Sequence, residues 1–486
     1  MAFGNGMRRF TLALAVAQVL VAQEVDMAEK LFSSGERSYA AKDYPAAIET
    51  WNQVLQQAPK SPFAARALLM LARHQIEVER KPEAALPFLE RIKTEHLKTA
   101  WAAEAIMYRG RILADRSRGP VELKEAMAEY NRVTDLFPDH PVVQEARLQM
   151  GLGFRLQGQL GRALQSFTEA MRLDPGSPVA CKAELEAAET LDLMGDLTGC
   201  LRMLQGLRNH APKSAEAAEA AWRLQVRVKQ RILKPALRSE GPWPGGKQKW
   251  LKTPTVLATG PAGELYVFQD DLDHAFLLQD GNLTSVGPTG KGAKAMIIPA
   301  QGQVWLVTSK TGVVKDEGAA APAILPLQSP TGAFRDGWGN LWLSDSRATA
   351  IQVVPTEGTA RSVPGNGVVA MAAMPGDGVA IASDNARTLQ FTDNEGRVKV
   401  SIPYGKDLPA PYKYVLAMAS DPLGHVAALV DGDFEGVVLW GPDGSLLRSA
   451  TYKSLNVSGK FRAIALDRQG GIILADRSND LLIRLD

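Results

Sequence analysis

The chain has 486 residues, a formal net charge of +2, 45% hydrophobic and 22% charged side chains. That length exceeds one ordinary hydrophobic core, and the composition excludes a disordered, collagen-like or disulfide-scaffold chain. The near balance of basic and acidic residues excludes the strongly basic footprint that nucleic-acid binding needs.

Arg8 and Arg9 precede an apolar stretch from Phe10 to Ala22. A spanning helix needs about 20 apolar residues, so this segment reads as a secretory signal peptide over residues 1–22. Small residues permit cleavage after Ala17 or after Ala22, and the second point keeps the longer apolar region. Export to the periplasm or cell envelope is the resulting expectation. No later segment is long and apolar enough to form a transmembrane helix.

The next part repeats itself. Pro59–Ala67, Pro138–Ala146, Pro175–Ala183 and Pro212–Ala220 each carry Pro at the start and Ala eight residues later, and Leu97–Ala105 is a degenerate copy. Successive copies stand 38, 41, 37 and 37 residues apart. Each unit reads as helix, tight turn, helix, ended by a Pro that cannot continue the second helix. Gly151, Phe154, Ala163, Phe167, Ala170 and Pro175 show the pattern best. Gly35, Ala47, Trp51 and Pro59 repeat it, as do Gly110, Ala126, Tyr130 and Pro138. Small residues at Gly151 and Ala163 allow close helix approach, with Phe167 expected to fill space toward the next unit.

This spacing resembles the tetratricopeptide repeat, over residues 23–214, with residues 215–239 as capping helix and linker. The resemblance implies a concave face that receives a peptide or partner protein. On the consensus register that face includes Phe32, Tyr39, Arg66, Arg73, Met107, Arg111 and Arg155. Its arginine bias points to an acidic peptide or a C-terminal carboxylate. Cys181 and Cys200 fall on partner helices about 10 Å apart along the axis, too far for a disulfide, and are expected as free core thiols. Arg227, Lys229, Arg231 and Lys234 cluster at the end of this region and read as a solvated helix face.

From residue 240 the composition turns to Val, Ile, Thr and Trp punctuated by glycine. Six segments share a turn glycine followed by an apolar strand, beginning at Gly263, Gly302, Gly339, Gly378, Gly424 and Gly470. Four end in acid, at Asp345, Asp384, Asp431 and Asp476, expected to cap turn backbone groups. Acid–Gly hairpin signals interleave at Gly281, Gly318, Gly358, Gly396 and Gly444. Each unit reads as four antiparallel strands, one blade of a propeller. Gly339-Asn-Leu-Trp-Leu-Ser-Asp345 and Gly470-Gly-Ile-Ile-Leu-Ala-Asp476 resemble the NHL-type six-bladed β-propellers, over residues 240–486.

The predicted fold is therefore a tetratricopeptide-type α-solenoid followed by a six-bladed β-propeller. The last blade lacks its fourth strand at the C-terminus, and the segment around Lys247 to Lys252, after Glu240-Gly241, is expected to supply it. Trp305 and Trp342 recur at one blade position and read as inter-blade packing. The sequence contains no GxxxxGK[ST], GxSxG or HExxH motif and no EF-hand loop, and its six histidines are scattered, so neither cofactor nor metal is expected. The function expected is a non-catalytic, exported interaction scaffold. The alternative is a propeller hydrolase or lactonase with the helical array as a targeting module, which carboxylates and amides at the channel mouth would favour.

Overall fold

The computed structural model describes residues 24–117, 119–244, 250–279, 281–309, 312–314, 327–355 and 359–486. The expected signal peptide lies outside them. Among the described residues eleven α-helices precede 23 β-strands. The helices are α1 (24–40), α2 (Tyr44–Gln57), α3 (Pro62–Glu77), α4 (Pro82–Glu95), α5 (Trp101–Arg116) and α6 (Pro120–Leu136). After these come α7 (Val142–Leu156), α8 (Leu160–Leu173), α9 (Pro178–Leu193), α10 (Leu197–His210) and α11 (Ala215–Arg227). The chain is a tetratricopeptide-type helical array followed by a six-bladed β-propeller. Contacts group it into two compact units. One runs to Phe154 and includes Gln165–Ala183; the other comprises Arg155–Leu164 and Glu184–Asp486.

In the first unit the repeat motif explains itself through helix ends and one close approach. After the Pro that stops a second helix, Ser61 accepts the Ala64 amide at 3.2 Å and Ser177 accepts the Ala180 amide at 3.1 Å. Each serine thus satisfies an otherwise orphan N–H. The following Pro62 and Pro178 open α3 and α9, where a missing N–H costs nothing. Within a repeat, a Cβ at Gly35 would lie 2.4 Å from the Trp51 ring, at Gly110 2.6 Å from Tyr130, and at Gly151 2.4 Å from Phe167. The aromatic of the second helix therefore seats on the glycine of its own first helix. Phe167 was expected to face the next unit; a bare Cα is the one place where a whole ring fits against a helix, and it packs there. Gln144 fastens one repeat to the next: its amide donates to the carbonyls of Ala170 and Asp174, and its oxygen accepts from Ser177.

In the second unit, six apolar clusters occupy the six interfaces between neighbouring blades, counted among the described residues. Trp342 is fully buried in one of them, and Trp305 packs against another. The ring closes with a strand taken from before the first blade. Ser239–Pro242 pairs antiparallel with Leu481–Leu485, making the outermost strand of the last sheet. Arg238 and Asp486 exchange both backbone hydrogen bonds at 2.9 Å, and Arg484 holds Glu240 at 2.8 Å. The closing strand thus starts before Glu240-Gly241 and contains it, instead of following it around Lys247 to Lys252. Gly241, at φ 80°, sits where the pairing register shifts. A bulge, with its need for positive φ, uses the same Gly signature as a hairpin turn. Residues 245–249 lie outside the described residues.

Both cysteines are buried, and neither forms a disulfide. No helix among the described residues is long and apolar enough to cross a membrane.

Candidate functional site

On the first unit, the surface built by the first helices of successive repeats carries most of the expected binding residues. Arg66 of α3 lies 4.3 Å above the Phe32 ring of α1 and 5.0 Å from the Trp101 ring of α5, so one guanidinium bridges three helices. Tyr39 packs among Tyr44, Trp51 and His74, with centroids 5.0 to 5.9 Å away. Phe32 and Met107, expected on this surface, are only 1% and 3% exposed and form its floor. They are apolar residues on the buried side of their helices, so they support the face without presenting atoms to a ligand.

The arginines are not bare charges. Arg66 pairs with Glu36 at 3.2 Å, Arg73 with Glu77 at 3.2 Å and Arg111 with Glu145 at 3.6 Å, and all three keep a third to a half of the side chain exposed. Arg155, in the second unit, is held by Glu186 at 2.6 Å and is more buried. Trp101 and Tyr108 also belong to α5 and escape a reading that follows only the consensus positions. Their spacing of seven places them on one side of the helix, which is the signal that finds them. Burial pushes the Tyr108 phenol up, so it stays a neutral hydrogen-bonding group at ordinary pH.

The basic cluster after α11 is internally neutralised. Arg227 is 1% exposed and donates to Glu189 and Asp192, Arg231 bonds Asp192, and Lys229 bonds Asp486. Arg468 bonds Glu219 and lies 4.9 Å from the Trp222 ring. Arg227 and Arg231 thus tie to α9, while Lys229, Arg468 and the Gln230 amide, which donates to the Gly470 carbonyl, fasten α11 and the π-helical turn Val228–Leu233 to the last blade within this unit.

The strand-end carboxylates cap backbone, as expected for two of the four. Asp345 accepts the amides of Gln328, Ser329 and Arg347, and Asp476 accepts those of Lys460, Ser478 and Asn479. Burial alone would raise both carboxyls, but the backbone donors around Asp345, and around Asp476 the Asn479 and Ser478 side chains ahead of the backbone amides, outweigh it and hold both below the usual range. Asp384 instead is raised by burial, although it accepts the Tyr404 hydroxyl at 3.0 Å and the Val415 amide of the next blade. A second set of carboxylates precedes the turn glycine by three residues. Asp336, Asp421 and Asp467 each accept the amides two and four residues ahead. Asp336 also takes the Trp342 indole N–H at 2.8 Å, and Asp421 pairs with buried His425 at 2.7 Å. These acids are turn-builders.

A cleft of about 400 Å³ in the second unit is lined by Arg155, Glu186, Glu189, Arg223, Arg335 and Asp336 among others. Its charges largely satisfy one another, with Arg155 on Glu186 and Arg223 on Glu189. The central channel of the propeller encloses about 130 Å³ between the six inner strands. Thr255, Lys294, Thr331 and Arg462 line it together with Ala370, Met371, Leu416 and Met418. No acidic residue is among the described residues lining the channel, and no group of three His, Cys, Asp or Glu side chains among the described residues could hold a metal ion.

No protein-family model matches the chain, and no curated protein matches it. Among solved structures, a streptogramin B lyase is 11% identical, with 51% of this chain and 97% of the lyase covered at a TM-score of 0.38. A gluconolactonase from Xanthomonas campestris is 14% identical over 48% of this chain and 86% of its own, with a TM-score of 0.37. YrrB, described as a TPR protein with an unusual peptide-binding site, is 19% identical over 39% of this chain and 90% of its own, with a TM-score of 0.31.

Proposed function

We propose that this protein is an exported interaction scaffold whose helical array binds a peptide segment of a partner protein, with the propeller as a second, rigid binding surface. The observation that carries the reading is the layer formed by Phe32, Arg66 and Trp101 with Tyr39 and Arg73 beside it. Arg66, Trp101 and Tyr39 are the partly exposed members of this layer, on three successive first helices with Phe32 as the floor beneath Arg66, and Tyr, Trp and Arg are the side chains that dominate protein-recognition hot spots. Because Arg66, Arg73 and Arg111 each hold a glutamate, a ligand carboxylate exchanges with one already present. The preference for an acidic ligand is therefore modest, and aromatic contact supplies most of the affinity. Export rests on Arg8, Arg9 and the apolar stretch that follows.

The test is capture of a partner from the native envelope fraction by the chain beginning at Gln23. Arg66→Ala combined with Arg73→Glu should reduce capture at least about tenfold while helical circular dichroism is retained. Undiminished capture by that variant overturns the assignment of the face. N-terminal sequencing of the native protein should begin near Gln23, and recovery of Met1 would overturn export.

A further inference from the structure

The central channel has two unlike sides. Arg462, Thr255 and Thr331 are the second residues of the inner strands of blades six, one and three, and Lys294 immediately precedes the inner strand of blade two. Ring closure makes these blades consecutive, so the four side chains form one polar arc. Blades four and five complete the wall with Ala370, Met371, Leu416 and Met418. The arc carries two cations, Lys294 and Arg462, both exposed and neither in contact with a carboxylate among the described residues that line the space. The Thr255 hydroxyl, on the strand between them, is buried without a hydrogen-bond partner. By contrast, the Thr331 hydroxyl is satisfied by the Val368 carbonyl at 2.7 Å.

Two exposed cations that have no carboxylate in contact among the described residues, flanking an unsatisfied hydroxyl where no described acidic residue lines the space, create a local positive potential. The groups elsewhere in this unit show the contrast, since Arg155, Arg223 and Arg227 all have carboxylates in contact. From this arrangement we infer that the channel binds a small organic carboxylate. Its oxygens are taken by Arg462, Thr255 and Lys294, and its short apolar body lies against Met371, Leu416 and Met418. The space of about 130 Å³ holds several water molecules and admits a small anion of roughly six heavy atoms. The carboxylate belongs either to a free small acid or to the C-terminal end of a peptide, and the chemistry recognised is the same. This site is independent of the helical face proposed above.

Isothermal titration of the full chain with sodium butyrate, sodium acetate, inorganic phosphate and butylammonium tests it. Acetyl-Gly-Val with a free or an amidated carboxyl separates the two sources. Butyrate should bind more tightly than acetate or phosphate, and butylammonium should not bind. Lys294→Met and Arg462→Met should each weaken butyrate at least about tenfold, the loss of a charge-assisted hydrogen bond, with the melting temperature held within a few degrees. Binding by free-carboxyl acetyl-Gly-Val, abolished in its amide and in both variants, would support the same site with a peptide end as its source. Absence of binding by every carboxylate, equal binding by both variants, or preference for phosphate or butylammonium would overturn the inference.

Discussion

Gly151 and Gly161 lie in facing helices of one repeat, yet their replacement by alanine should have opposite effects. A Cβ at Gly151 meets the Phe167 ring at 2.4 Å, whereas nothing lies within 4 Å of one at Gly161. We expect Gly151→Ala to cost about 1–3 kcal/mol through overpacking. Gly161→Ala, exposed in α8, should gain about 0.5–1 kcal/mol from helix propensity. Urea denaturation of the two variants checks both signs. Cys200 offers a second residue-scale test, because burial pushes its thiol up to about 12. At pH 8 it should resist alkylation in the folded protein, and both Cys200 and Cys181 should label fully in denaturant without reductant. Labelling that requires reductant would show a disulfide between them.

At the scale of the element, the connections between strands depend on ionised carboxylates. Asp476 has a folded-state pKa below its unfolded value, so its contribution to stability is present above the unfolded pKa and lost as pH falls through the folded one. Asp476→Ala should therefore destabilise the propeller by about 1–3 kcal/mol at pH 7, and the gap to the natural protein should narrow below about pH 4. Thermal melts across pH 3 to 7 measure this; a gap independent of pH would contradict the capping role. The same carboxylates show how far the sequence could be read. The strand-end acids are visible because they repeat in register with the blade glycines. The turn acids Asp336, Asp421 and Asp467 recur in three blades, three residues before those glycines, but a search anchored on glycine and strand passes over them. The glutamates that neutralise Arg66, Arg111 and Arg155 lie 30, 34 and 31 residues away, close to one helical repeat. Charge complementarity between adjacent repeats was therefore written in the period, although one repeat viewed alone shows only excess arginine. Lys294 and Arg462 are 168 residues apart. They become neighbours of one channel only after the blades are aligned strand by strand and the ring is closed.

For the propeller as a whole, closure is the feature on which cooperativity depends. Removing residues 480–486 deletes the strand Leu481–Leu485, which joins Ser239–Pro242 to the rest of its sheet. We expect the truncated protein to lose sheet structure throughout the propeller and to aggregate through the exposed edge, since unpaired strands are templates for other chains. Unchanged melting of the β-structure after truncation would show that the ring holds without this strand. The pairing of Ser239 with Leu485 also sets a schedule. The earlier strand leaves the ribosome about 240 residues before its partner, an interval of roughly 12–50 s at ordinary elongation rates. By the end of that period five blades are complete while the first-made strand still lacks the partner that closes the sixth. A nascent chain in this condition is a substrate for a holding chaperone, which would protect the ring until synthesis delivers its last strand.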